Sequence, residues 1–172
     1  NLYNRNYYHY DPANYHGPFL YYIGLIPFYL FGISDFTFRL MPVLFGIMGI
    51  ALFYPLRRRL GTMGLLTTGL LVALSPANSF FSRDTIHEIY LVFFSLAVVV
   101  AFFLYAETRK SRYLYFAGAS IAFVITIKET YILTFAVYAL ALAIAYCYEL
   151  VFLRKGNRFQ YGKTLLATFA GD

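Results

Sequence analysis

Residues 85–106 read TIHEIYLVFFSLAVVVAFFLYA, and this nearly unbroken apolar run decides the fold. A transmembrane α-helix needs about 20 consecutive, mainly apolar residues to cross the hydrocarbon core of a bilayer. Residues 130–153, TYILTFAVYALALAIAYCYELVFL, form a second run of the same kind. Both runs therefore predict helices that span a membrane.

Further apolar runs lie on either side of the first one, at 18–31, 40–56, 60–81 and 113–127. Pro76 interrupts one of them and should kink or end its helix, because proline lacks a backbone donor. No strand-type alternation or internal repeat competes with a helical interpretation. The sequence predicts an all-α fold, a polytopic transmembrane helix bundle with about six membrane runs.

The whole of 1–172 is predicted to be one partial transmembrane domain. Residues 1–17 would end an outer loop, and residues 18–170 would form the membrane helices. Because the chain begins at Asn1 rather than Met, and an apolar run from Thr164 stops at Asp172, both ends are expected to be truncated.

Composition supports the membrane interpretation. Apolar residues make up 60% of the chain and charged residues 13%, against about 45–50% and about 25% in ordinary soluble domains. These values exclude a soluble globular domain, a disordered chain and a nucleic-acid-binding module. The single cysteine, Cys147, excludes a disulfide within the chain. No cofactor is indicated, and a divalent metal is left open.

Basic residues indicate how the helices are oriented. They cluster at 57–59, 109–112 and 154–158, and each pair of clusters is separated by two apolar runs. Such clusters favour the cytoplasmic side of a membrane. Residues 78–88 and 128–130 are then predicted on the outer face. If run 18–31 also spans the membrane, the same count places residues 1–16 inside. The alternatives are that this run is re-entrant or that the Arg57 cluster breaks the rule.

A short polar segment before the decisive run concentrates ionisable groups, namely Arg83, Asp84, His87 and Glu88. Ionisable residues close to membrane depth are costly and often functional. In the alternative interpretation, Thr85-Ile86-His87-Glu88 is only a capping box at the start of a helix. Capping explains Thr85 and Glu88, but it gives Arg83 and His87 no role, so we favour a functional site.

Two other polar segments are candidates for binding. Lys128-Glu129-Thr130 separates two apolar runs and could supply a cation for a phosphate and a carboxylate for a sugar hydroxyl. The alternative is a structural ion pair or an interface anchor. Asp11 and His16 lie in a tyrosine-rich stretch that leads into run 18–31, where aromatic interface residues are the alternative.

Four segments in order resemble a known family: YDPANYHGPFLYY, FGISDFTFRLMPVLFG, LSPANSFFSRDTIHEIYLVFF and TIKETYIL. They look like the polytopic glycosyltransferases of the GT-C superfamily, closest to the dolichyl-phosphate-mannose–protein mannosyltransferase-like branch of archaea and bacteria. Some members of that branch are described as flippase-activity-associated. The specific parts are His16-Gly17-Pro18, Arg39-Leu40-x-Pro42, Ser82-Arg83 with Ile86-His87-Glu88, and Lys128-Glu129-Thr130.

The resemblance implies a multi-pass enzyme of the cell membrane. It would transfer a sugar, such as mannose, from a polyprenyl (dolichyl) phosphate carrier to a protein, lipid or glycan acceptor on the extracytoplasmic face. The family's general base is usually an acidic pair in the first outer loop, which is expected upstream of Asn1. The chain alone is therefore expected to be inactive. The resemblance also places His16-Gly17-Pro18 outside, against the charge count.

The expected partners are the lipid bilayer, the lipid-linked sugar and the acceptor, with no nucleic acid. Candidate groups on the phosphate side are Arg83, His87 and Lys128. Glu88 and Glu129 would position these cations or bind sugar hydroxyls. Asp11 and His16 complete the substrate-binding set, and the residues predict no metal site. The alternative functions are a lipid-linked-sugar flippase or transporter, and a non-catalytic membrane component of glycosylation.

Overall fold

The computed structural model describes residues 17–152, and the side chains as far as residue 148. The chain divides into two compact units after Glu129. Among its residues 17–129, the first unit contains six α-helices: α1 Phe19–Phe31, α2 Asp35–Ala51, α3 Arg57–Leu74, α4 Pro76–Phe81, α5 Glu88–Thr108 and α6 Ser111–Ile127. The second contains α7, Tyr131–Phe152. The predicted all-α fold is confirmed, with no strand between residues 17 and 152.

Three helical segments within residues 17–152 are long and apolar enough to cross a membrane: Asp35–Leu74, Glu88–Thr108 and Tyr131–Tyr148. The first of these includes α2, a short 3-10 helix at Tyr54–Leu56, and α3. The remaining apolar helices, α1 and α6, are shorter. The chain is therefore a helical membrane protein.

The helices begin and end where local sequence signals dictate. α2 begins at Asp35, earlier than the apolar run at 40–56 predicts, because Ser34 and Thr37 cap each other's backbone N–H groups. α3 ends at Leu74, and Ser75 accepts a hydrogen bond from the Asn78 N–H to start α4. Pro76 occupies the first turn of α4, so the predicted break is confirmed.

Helices α5 and α6 form an antiparallel hairpin whose two ends differ in charge. Arg109, in the left-handed conformation with φ 54°, donates its N–H to the Tyr105 carbonyl and ends α5. At this end the Arg59 Nε atom lies 2.5 Å from Glu107 Oε1. We call this the Arg59 end, and the opposite end the Glu88 end.

The basic clusters at 57–59 and 109–112 thus lie at the same end of the first unit, as the charge count requires. The cluster at 154–158 lies outside the described residues. Which side of the membrane the Arg59 end faces stays a prediction.

Aromatic packing shows the course of α1. The Phe19 ring lies 5.5 Å from Tyr90 and 5.4 Å from Phe123. Farther along α1, Phe28 stacks on Phe38 at 6.1 Å. The Phe38 carbonyl in turn accepts a hydrogen bond from Thr85, which precedes α5. Both ends of α1 are therefore close to the Glu88 end.

Whether run 18–31 crosses the membrane stays a prediction. Its helix has 13 residues, about 20 Å at 1.5 Å per residue, whereas the hydrocarbon core is about 30 Å thick. This short helix fits the alternative of a re-entrant segment, and the side of the membrane on which residues 1–16 lie stays a prediction. Residues 1–16 themselves lie outside the described residues.

Candidate functional site

An ion pair joins two helices at the Glu88 end. The Lys128 Nζ atom donates to Glu88 Oε1 at 2.6 Å, and these side chains are 27% and 29% exposed. Glu88 is the first residue of α5, and Lys128 directly follows the last residue of α6. The antiparallel hairpin brings these ends together, although they are 40 positions apart in the sequence.

The ion pair rests on the best-packed part of the unit. Ile89 and Ile127, the neighbours of the two charged residues, are both buried in the core cluster with Phe45 and Tyr90. His87 is also buried, with 4% of its surface exposed, and its ring lies 6.5 Å from that of Tyr21 in α1. The site therefore combines a buried apolar cluster with a partly exposed ion pair beside it.

The structure contradicts the capping-box interpretation of Thr85 and Glu88. Helix α5 begins at Glu88, with His87 at the N-cap position and no side-chain cap. The Thr85 hydroxyl donates instead to the Phe38 carbonyl in α2, at 2.9 Å. Thr85 and Ile86 therefore lie outside α5. The Glu88 carboxylate is consequently available for Lys128.

The segment that connects α4 to α5 lies along α2. A Cβ atom on Gly46 would come within 2.8 Å of the Ser82 Cβ, so the two backbones approach each other closely. Arg39 donates to the Arg83 carbonyl at 3.4 Å. These contacts hold the exposed Arg83 and Asp84 side chains on the approach to α5.

The segment before α1 also contacts the site. The Gly17 N–H donates to the Ile127 carbonyl at 3.1 Å. The residue next to the His16 candidate is therefore in contact with the end of α6, one position before Lys128.

The predicted site residues fall into three groups. Glu88 and Lys128 are in direct contact, with His87 adjacent in sequence to Glu88 and buried. Arg83 lies five positions before Glu88, and Glu129 is exposed at the turn after Lys128. Asp11 and His16 lie outside the described residues. The structure shows Lys128 in an ion pair with Glu88, so the structural ion pair and the functional site both remain interpretations of this residue.

Sequence reasoning missed two residues near the site. Tyr21 lies against His87, and no local signal separated it from the other tyrosines of its run. Arg39, which was not among the predicted site residues, donates to the Arg83 carbonyl. The Arg39-Leu40-x-Pro42 pattern in the resemblance was the signal that could have identified it.

The arrangement can bind an anion and a hydroxyl side by side. An ammonium group has three donors, and Lys128 uses one of them on Glu88. Among the described residues, none donates a hydrogen bond to the buried Glu88 Oε2 atom. Leaving a buried acceptor unsatisfied costs about 1–3 kcal/mol, which favours a ligand donor there.

Residues 17–152 contain no group of three or more potential metal ligands of the His, Cys, Asp and Glu types.

Comparison with known proteins identifies the family. The family model described as dolichyl-phosphate-mannose-protein mannosyltransferase matches residues 15–170, nearly the whole chain. No curated protein and no solved structure matches the chain. The matched range includes the Gly17 contact, the Arg83–Glu88 segment and Lys128. The chain therefore belongs to the dolichyl-phosphate-mannose-protein mannosyltransferase family of membrane glycosyltransferases.

Proposed function

We propose that the protein transfers a sugar from a polyprenyl-phosphate carrier to an acceptor on the extracytoplasmic face of the cell membrane. The observation that carries the proposal is the Lys128–Glu88 pair, a cation and a carboxylate held at one end of an apolar helix bundle. A lipid-linked sugar presents matching chemistry, because a phosphate and sugar hydroxyls adjoin an apolar chain. A mannosyl donor and a protein acceptor are the first choices within this family.

Each charged group has a proposed role. Lys128 donates to the carrier phosphate and stabilises the negative charge that grows as the sugar leaves. Glu88 holds Lys128 through Oε1 and accepts a hydroxyl hydrogen from the sugar through Oε2. Arg83 offers a planar fork of donors, which suits phosphate oxygens. The acceptor hydroxyl needs a general base, which we assign to a carboxylate of the outer loop before Gly17.

A transfer assay with the full-length protein tests the proposal and the role of Arg83. Purified protein in liposomes receives a polyprenyl-phosphate-linked mannose and an acceptor peptide, and glycosylated peptide is measured. We expect Arg83→Ala to lower the rate about 10-fold or more, because a hydrogen bond to a charged group is worth about 1.5–3 kcal/mol. Arg83→Lys should lose less, since lysine retains the charge but not the fork geometry.

Arg112→Ala is the matched control, because Arg112 lies at the Arg59 end with its guanidinium over the Tyr113 ring. Normal transfer by Arg83→Ala would remove Arg83 from the site. A flippase would move the lipid-linked sugar across the bilayer without cleaving it, so translocation without transfer by the wild-type protein would favour the transporter alternative.

The proposed sidedness has its own test. In a cysteine-free background, Asp84→Cys is expected to react with an impermeant thiol reagent added to intact cells. Ser111→Cys, beside the basic cluster at 109–112, should react only after the membrane is permeabilised. Both positions are exposed, so access depends on the side of the membrane. The opposite labelling pattern would reverse the proposed orientation.

A further inference from the structure

Helix α6 ends directly before Lys128, and its last carbonyl groups need partners. The last four C=O groups of an α-helix have no intrahelical donor. Gly17 supplies one for Ile127, the final residue of α6. Lys128 then adopts an extended conformation, with φ −158° and ψ 147°, and reaches Glu88. The backbone of Gly17 and the side chain of Lys128 thus depend on the same helix end.

No residue other than glycine fits at position 17. A Cβ atom there would lie 1.9 Å from the Thr126 carbonyl oxygen and 2.8 Å from that of Ile127. Both obstacles are backbone atoms, which cannot rotate away as a flexible side chain can. Ile127 is fully buried in the core, so the end of α6 has little room to retreat. Pro18 further restricts the backbone of position 17 to extended conformations.

We infer that Gly17 is a positioning residue for Lys128. It holds the end of α6 at the place from which the Lys128 ammonium group meets Glu88, and it acts through the backbone without touching substrate. Only the predicted effect of Gly17 on sugar transfer rests on the proposed function. Its effect on the lysine itself is independent of what the protein binds.

The primary experiment measures the reactivity of the Lys128 amine in the full-length protein. A water-soluble N-hydroxysuccinimide ester labels lysines in detergent, and mass spectrometry gives the labelled fraction at Lys128 and Lys110. We expect Gly17→Ala to raise labelling of Lys128 several-fold, because the ion pair with Glu88 opens, while labelling of Lys110 is unchanged. Gly24→Ala is the matched control, since a Cβ there meets no atom within 4 Å.

The outcomes separate the two hypotheses. Unchanged Lys128 labelling in folded Gly17→Ala would overturn the positioning role, as would an equal rise at Lys110. Raised Lys128 labelling with a several-fold higher KM for the lipid-linked sugar supports both the positioning role and the proposed function. Raised labelling with unchanged transfer would support the positioning role and contradict the assignment of Lys128 to the site.

A measurement on the wild-type protein covers the case in which Gly17→Ala does not accumulate. Overlapping peptides that end at residue 16 and at Leu20 isolate by subtraction the amides of residues 17–20, of which Pro18 has none, while Phe19 and Leu20 lie in the first turn of α1. First-turn N–H groups lack intrahelical acceptors, so slow hydrogen exchange in the difference between these peptides would report the Gly17 bond to Ile127. Protection of one amide is the expected result, and fast exchange of every amide would overturn the inference.

Discussion

Replacing Lys128 by alanine is expected to lower the rate of sugar transfer by about 100-fold, because loss of one preorganised donor to a developing negative charge has this order of effect. The effect on folding should be much smaller. The Lys128 and Glu88 side chains are partly exposed, and ion pairs of this kind contribute about 0.2–1 kcal/mol to stability. Lys128→Ala should therefore separate activity from stability.

A double-mutant cycle with Glu88→Gln sharpens this test. Glutamine retains an oxygen that can accept from the Lys128 ammonium group, but it removes the charge. We expect Glu88→Gln to lower transfer about 10-fold, and the double variant to lose less than the product of the single effects, since residues in contact are not additive. Thermal unfolding in the same detergent provides the measure of stability.

Lys110→Ala is the control for removal of a positive charge, because Lys110 precedes α6 at the Arg59 end. Wild-type transfer by Lys128→Ala would exclude the proposed role of this lysine. A parallel loss of transfer and thermal stability in both single variants would reduce the pair to a structural link between α5 and α6.

The fold was readable from the sequence wherever one strong signal acted alone. The apolar run at 85–106 coincides with most of α5, Glu88–Thr108, because a long apolar segment without proline has few alternatives to a helix. Pro76 ended α3 as predicted for a residue that lacks a backbone donor. The Arg57–Arg59 and Arg109–Arg112 clusters lie at one end because two apolar runs separate them, so the chain leaves that end and returns to it.

Predictions were weaker where a contact distant in sequence competes with a local motif. Thr85-x-x-Glu88 matches a capping box, yet the Thr85 hydroxyl bonds to the Phe38 carbonyl, 47 positions away. Run 18–31 matches an apolar helix, yet the contacts of Phe19 with α5 and α6 determine where this helix lies. Local patterns do not contain these contacts, and only the folded hairpin reveals them.

The candidate site shows the same limit. The sequence identified Lys128 and Glu88 separately as charged residues between apolar runs, but their 2.6 Å contact required the antiparallel arrangement of α5 and α6. Gly17 was identified only through the resemblance of His16-Gly17-Pro18 to a family. Its close approach to Thr126 depends on where the end of α6 lies, which a glycine in the sequence cannot specify.

Replacing Phe19 by alanine is expected to destabilise the first unit by about 3 kcal/mol, the lower part of the range for removing a packed phenylalanine. The Phe19 ring forms edge contacts with Phe45, Tyr90, Phe94 and Phe123, with centroids 5.4 to 6.3 Å apart. These rings come from α2, α5 and α6, so Phe19 joins α1 to three other helices. Alanine would leave a cavity at that junction.

Phe31→Ala is the matched control, because Phe31 ends the same helix with 65% of its surface exposed. Exposed positions of this kind usually change stability by less than about 0.5 kcal/mol. The measurement is the thermal unfolding midpoint of full-length variants in one detergent, with Phe19→Leu expected between alanine and wild type. Equal midpoints for Phe19→Ala and Phe31→Ala would contradict the packing of α1 at the Glu88 end. Because α1 begins two residues after Gly17, a destabilised Phe19→Ala protein should also show raised labelling of Lys128.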